Sequence, residues 1–132
     1  MNCDINNSSS CIHDLVKRIY LLQVQDCEGK NFSGCDKPFL GPILTNVCYN
    51  TRPVRLYNCG TLPWSFTYTV DGVEATSDVL RIENVEDGCC TCRILYLDAT
   101  TGEYVATTEF VTIDLACCGA VRCLPDIYVS LC

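Results

Sequence analysis

The chain has 132 residues, a net charge of −7 and 48% apolar residues. That is one domain's length with enough apolar side chains for a core, which excludes a disordered chain. No basic cluster exceeds Lys17-Arg18, and no apolar run approaches the roughly 18 residues needed to span a bilayer, so neither nucleic acid nor membrane is expected as a partner. Against this ordinary background stand thirteen cysteines, more than folding should require. Because the count is odd, at least one thiol must stay free, bind metal or bond another chain.

Residues 1–10 are polar and rich in Ser and Asn, and read as a flexible lead carrying Cys3. They lack the basic and apolar regions of a secretory signal, so export by that route is not expected. From Cys11 to about Gln25, Ile12, Leu15, Val16, Ile19 and Leu22 fall on one helical face. Ser9 or Ser10 suits the N-cap, and Asp14 falls in the first turn, where the helix dipole favours an anion. Residues 26–42 hold Gly29, Gly34, Pro38, Gly41 and Pro42 and read as a loop.

After residue 42 the pattern changes to β. Strands are expected at Ile43–Tyr49, Pro53–Asn58, Trp64–Val70, Val73–Ser77, Val79–Val85, Cys89–Leu97 and Tyr104–Leu115, with a last strand or pair within Ala120–Val129. Asp71-Gly72 has the chemistry of a two-residue hairpin turn. Glu86-Asp87-Gly88 and Asp98–Gly102 read as further turns. The fold class expected is mainly β: an antiparallel β-sandwich, or a partly open barrel, of 7–9 short strands with one N-terminal amphipathic helix. Residues 11–132 form its single domain.

The cysteines are the chemistry present in quantity. Two knots, Gly88-Cys-Cys-Thr-Cys-Arg93 and Cys117-Cys118 with Cys123, hold six of the thirteen. Structural zinc needs four ligands, usually as two short Cys pairs. Here Cys89 and Cys92 make the one CxxC, so a site of Cys89, Cys92, Cys118 and Cys123 is the weaker alternative. No cofactor is expected. A thiol–disulfide oxidoreductase is a further alternative, but a reactive thiol needs a helix start or nearby cation, and only Arg93 adjoins this cluster. The single histidine, His13, reads as a solvated helix residue.

Neighbouring residues of a strand face opposite sides, so Cys89/Cys90 and Cys117/Cys118 should each split between core and surface, while Cys90 and Cys92 share a face. Candidates for intermolecular disulfides are Cys3, Cys11, Cys118 and Cys132. Candidates for intramolecular or buried positions are Cys89, Cys90, Cys92, Cys117 and Cys123.

The segment Val79-Leu-Arg-Ile-Glu-Asn-Val-Glu-Asp-Gly-Cys-Cys-Thr-Cys-Arg-Ile-Leu95 resembles the strand, acidic turn and cysteine strand of the CotY/CotZ/ExsY proteins, cysteine-rich proteins of the spore coat and exosporium. Thr112–Leu124 is similar to their C-terminal signature, T/E-V-D-L-S-C-F-C-A-I-Q-C-L. Ser33-Gly-Cys-Asp-Lys-Pro-Phe-Leu-Gly41, Asn50-Thr-Arg-Pro53 leading to Leu56-Tyr57, and Cys11-Ile-His-Asp-Leu-Val-Lys17 add matches in the same order. One departure stands out. Where the signature has C-F-C, this chain has Cys117-Cys118-Gly119, a thiol moved by one position and so expected on the other side of its strand.

The resemblance implies a non-enzymatic structural protein that self-assembles into ordered arrays locked by intermolecular disulfides. Its implied partners are itself and other spore coat or exosporium proteins. It implies synthesis in the mother-cell cytosol and a final place on the spore surface, in the outer coat, crust or exosporium, with oxidation following assembly. That order of events reconciles many cysteines with no secretory signal.

Overall fold

The computed structural model describes residues 11–24 and 49–131. The expected lead at 1–10, the N-cap at Ser9 or Ser10, the loop at 26–42 and nearly all of the strand expected at Ile43–Tyr49 lie outside the described residues. One helix, α1 (Cys11–Gln23), precedes seven strands: β1 (Val54–Asn58), β2 (Phe66–Val70), β3 (Val73–Ser77), β4 (Val79–Glu86), β5 (Cys89–Asp98), β6 (Glu103–Asp114) and β7 (Cys118–Cys123). Every pairing is antiparallel. The strands form a five-stranded sheet in the order β6-β5-β4-β1-β7 and a separate β2-β3 hairpin.

The hairpins follow from local chemistry. Asp71 and Gly72 both have positive φ, 53° and 78°, and Asp87 and Gly88 repeat the pattern at 46° and 83°. Two successive positive-φ residues are what a tight turn matching the strand twist requires, and Asp-Gly adopts them at little steric cost. These turns set the register of the β2-β3 and β4-β5 pairs, Val70 opposite Val73 and Glu86 opposite Cys89.

β6 and β7 are the two edges of the five-stranded sheet, yet only Leu115–Cys117, a 3₁₀ turn, separates them in sequence. From Asp114 to Cys118 the chain can reach about 15 Å. A flat five-stranded sheet would hold its edges about 19 Å apart. The sheet therefore curls until its edges approach. It stays an open barrel, because β6 and β7 are not hydrogen-bonded neighbours.

The concave side holds the core. Val54, Leu56, Leu80, Ile82, Cys90, Cys92, Ile94 and Ile113 line it, and Val16 and Ile19 of α1 cover it. The β2-β3 hairpin closes the remainder with Phe66 and Tyr68, and Tyr68 stacks on Tyr96 with ring centroids 5.1 Å apart. The other side carries a polar layer. Arg81, only 7% exposed, reaches Thr51 Oγ1, the Asn50 carbonyl and Glu83. Arg93 shares Glu83, donates to the Thr107 carbonyl and lies over the Phe110 ring. Among the described residues no buried side-chain nitrogen or oxygen lacks a partner, so this layer is satisfied rather than costly.

Three sequence expectations need correction. The helix ends at Gln23, and Leu22 is 43% exposed while Gln23 is buried. At 3.6 residues per turn, the stripe running through Ile12, Val16 and Ile19 next meets position 23. The long strand stops at Asp114, because its side chain accepts from the Ala116 N–H and turns the chain into 3₁₀ form. The last strand starts at Cys118, before the expected Ala120, and ends at Cys123.

Candidate functional site

Of the cysteines described, Cys59 is disulfide-bonded. Cys11, Cys89, Cys90, Cys92, Cys117, Cys118 and Cys123 are free thiols. Strand geometry sorts most of these. On β5, Cys89 faces out, whereas Cys90 and Cys92 face the core and are fully buried. Their sulfurs are 3.3 Å apart, a thiol–thiol hydrogen bond. Cys92 and Cys89, the CxxC pair, thus lie on opposite faces of one strand.

Cys118 enters the same core. The Leu115 N–H donates to the Gly88 carbonyl at 2.8 Å and pins the 3₁₀ turn beside the start of β5. Three residues on, Cys118 is 7% exposed and belongs to the same hydrophobic cluster as Cys90 and Cys92. Its sulfur contacts the Ala120 carbonyl at 3.4 Å. Gly119 then lets the backbone pass close to the turn after β1: a Cβ there would come within 3.0 Å of the Asn58 carbonyl oxygen.

The electrostatics keep Cys92 and Cys118 protonated. The hydrogen bond with Cys90, then burial, then the neighbouring thiols and Glu83 push the Cys92 thiol far above its ordinary value. Burial raises the Cys118 thiol as well, against smaller lowering contacts from the backbone at Ala120 and Tyr57. A protonated, water-excluded thiol is a poor nucleophile, since the thiolate is the reacting species.

Cys11, Cys89, Cys117 and Cys123 are exposed. The placement departs from the sequence reading in a consistent way. Cys118, expected outward, lies in the core, and Cys89, Cys117 and Cys123, grouped with the buried positions, reach the surface. Cys117 is not on a strand at all, and Cys123 is on edge strand β7, where the core-facing side of the sheet runs out. Cys3 and Cys132 lie outside the described residues. The four thiols considered for zinc, Cys89, Cys92, Cys118 and Cys123, are split between surface and core. Among the described residues no group of three or more His, Cys, Asp or Glu side chains is arranged to hold a metal ion. His13 is half-buried, with Nδ1 3.8 Å from Asp14, rather than fully solvated.

The family model for spore coat protein Z matches residues 1–103. The chain belongs to that family. The matched span covers α1, β1 to β5 and the Cys89–Cys92 knot, and stops at the first residue of β6. Within this spore coat family member, Cys117, Cys118 and Cys123 therefore lie in the part that the family model leaves unmatched. No curated protein and no solved structure matches the chain. Among the described residues no helix is long and apolar enough to cross a membrane.

The arrangement missed by sequence reasoning is the convergence of Cys118 on Cys90 and Cys92. Alternation along each strand could show that Cys90 and Cys92 share a face. It could not show that the sheet curls and brings β7 over β5.

Proposed function

We propose that the chain is a structural, non-enzymatic protein of the spore surface that self-assembles into ordered arrays locked by intermolecular disulfides. Family membership supports the spore coat role. The observation that carries the cross-linking is the set of free thiols at the surface: Cys11, Cys89, Cys117 and Cys123. A thiol facing outward from a packed sheet can meet the disulfide's Cα separation of roughly 4.4–6.8 Å only with something docked against that sheet. The partners are further copies of the chain and other coat proteins. The layer is the outer coat, crust or exosporium, reached after synthesis in the mother-cell cytosol.

Cys11 keeps its place among the intermolecular candidates, with Cys3 and Cys132 beside it. Cys118 is replaced in that role by the exposed Cys89, Cys117 and Cys123. Purified assemblies in strong denaturant, run with and without reductant on gels and imaged by electron microscopy, test the proposal. Large species should survive denaturant alone, and the 14.6 kDa chain should appear only when reductant is added. Release of monomer by denaturant without reductant would sink it.

A further inference from the structure

We propose that Cys90, Cys92 and Cys118 form an internal disulfide site, in which Cys118 bonds to either thiol of β5 and staples edge strand β7 across the open side of the barrel. The argument is geometric. Cys90 and Cys92 sit two apart on the same face of one strand, so their Cβ atoms are held about 6–7 Å apart, well beyond the roughly 3.8 Å of a disulfide. Their sulfurs touch without a workable bonding geometry. Cys118 comes from a different element. The bond from the Leu115 N–H to the Gly88 carbonyl brings its turn next to β5, and Cys118 shares the buried cluster with both thiols. The bond would lie between β7 and β5, which are not hydrogen-bonded neighbours in the sheet. A covalent bond there would supply the missing closure.

The oxidant is a small-molecule disulfide. A thiolate of the cluster attacks one of its sulfurs, forming a mixed disulfide and releasing one small thiol. The second cluster thiol, as thiolate, then displaces the other small thiol. Two cysteines lose two electrons and two protons, and the reagent gains both. The third thiol remains adjacent, so the bond can migrate between Cys90 and Cys92 by exchange with no further oxidant. Burial makes the first attack depend on transient opening of β7, the kind of local opening edge strands undergo below the global unfolding limit.

The test uses the full reduced chain. Exposed thiols are capped on the folded protein with N-ethylmaleimide, which removes the surface cross-links independently of whether assembly uses them. The capped chain is then incubated with bis(2-hydroxyethyl) disulfide, denatured in iodoacetamide and digested with trypsin, whose cuts after Arg81, Arg93 and Arg122 place the two sides of the bond in separate peptides. The expected product is peptide 82–93 joined to peptide 94–122, with Cys89 and Cys117 both carrying N-ethylmaleimide. Cys90→Ala and Cys92→Ala should each still give the joined product, and Cys118→Ala should not. Should Cys118→Ala fail to fold, the double variant Cys90→Ala/Cys92→Ala provides the same control from the β5 side. Recovery of all three thiols as iodoacetamide adducts overturns the site, and so does a bond confined to peptide 82–93.

Discussion

Which way a thiol faces follows from its place on the strand, and Cys118 shows the consequence. Cys118 opens β7 and turns into the core, and Gly119 follows it. Cys118, Cys90 and Cys92 should therefore behave as small apolar core residues toward any reagent in water. With N-ethylmaleimide on the native protein near neutral pH, Cys89, Cys117 and Cys123 should be modified rapidly. Cys90, Cys92 and Cys118 should be modified at least about 100-fold more slowly, since reaction waits on opening and, at Cys92 and Cys118, on a disfavoured thiolate. Peptide mapping over time reads this out, and equal rates for the two groups would contradict the fold. Gly119 gives a second residue-level prediction. Its Cβ would press on the backbone of Asn58 and Cys59, at 3.0 and 3.2 Å, where no flexible side chain can yield. Gly119→Ala should destabilise by about 1–3 kcal/mol, the usual cost of overpacking, measured by urea unfolding.

At the scale of elements, the alternating strands and the Asp-Gly turns were legible because both are local. Val79–Glu86 and the β2-β3 hairpin were expected within a residue or two. The beginning of β7 was not, since Asp114 capping a 3₁₀ turn looks, in sequence, like continued alternation. Helix α1 was legible as an amphipathic element, but its anchor was not. Gln23 closes the apolar stripe as a polar residue because it docks on two backbone groups: Nε2 donates to the Ile82 carbonyl at 2.6 Å, and Oε1 accepts from the Arg52 N–H at 2.9 Å. Gln23→Leu keeps the volume and strands both groups, so it should cost about 1–3 kcal/mol by denaturant unfolding. A stability unchanged by that variant would show that the amide is no anchor. Next to it, Arg52 and Asp126 pair through two hydrogen bonds, 2.6 and 2.9 Å, joining the lead into β1 to the chain after β7. The hydrogen bond from Arg52 holds the Asp126 carboxyl below its ordinary value. A lowered carboxylate stabilises the fold above its unfolded pKa, and that share is lost as pH falls through the folded one. Asp126→Asn should thus cost about 0.2–1 kcal/mol at pH 7, the range for a solvent-screened pair. The difference between variant and parent should fade below about pH 4, near the unfolded carboxylate's value. A cost that persists unchanged at pH 2 would assign the effect to packing instead.

At the scale of the whole molecule, cross-linking and folding are separable tasks. The core of Val16, Ile19, Val54, Leu56, Leu80, Ile82 and Ile94 is aliphatic and closed by aromatic residues, and the Arg81–Glu83–Arg93 layer on the other face is fully paired. None of those contacts involves a sulfur–sulfur bond. Among the described cysteines only Cys59 is disulfide-bonded, and removing one disulfide typically costs about 2–5 kcal/mol against a domain stability of about 5–15 kcal/mol. The reduced chain should therefore remain folded. In excess reductant its far-ultraviolet circular dichroism should keep a β signature, and heating should still give one cooperative transition at a lower midpoint. Loss of the β signal on reduction alone would mean that disulfides hold the fold itself, and the exposed thiols would lose their reading as links between chains that are already folded.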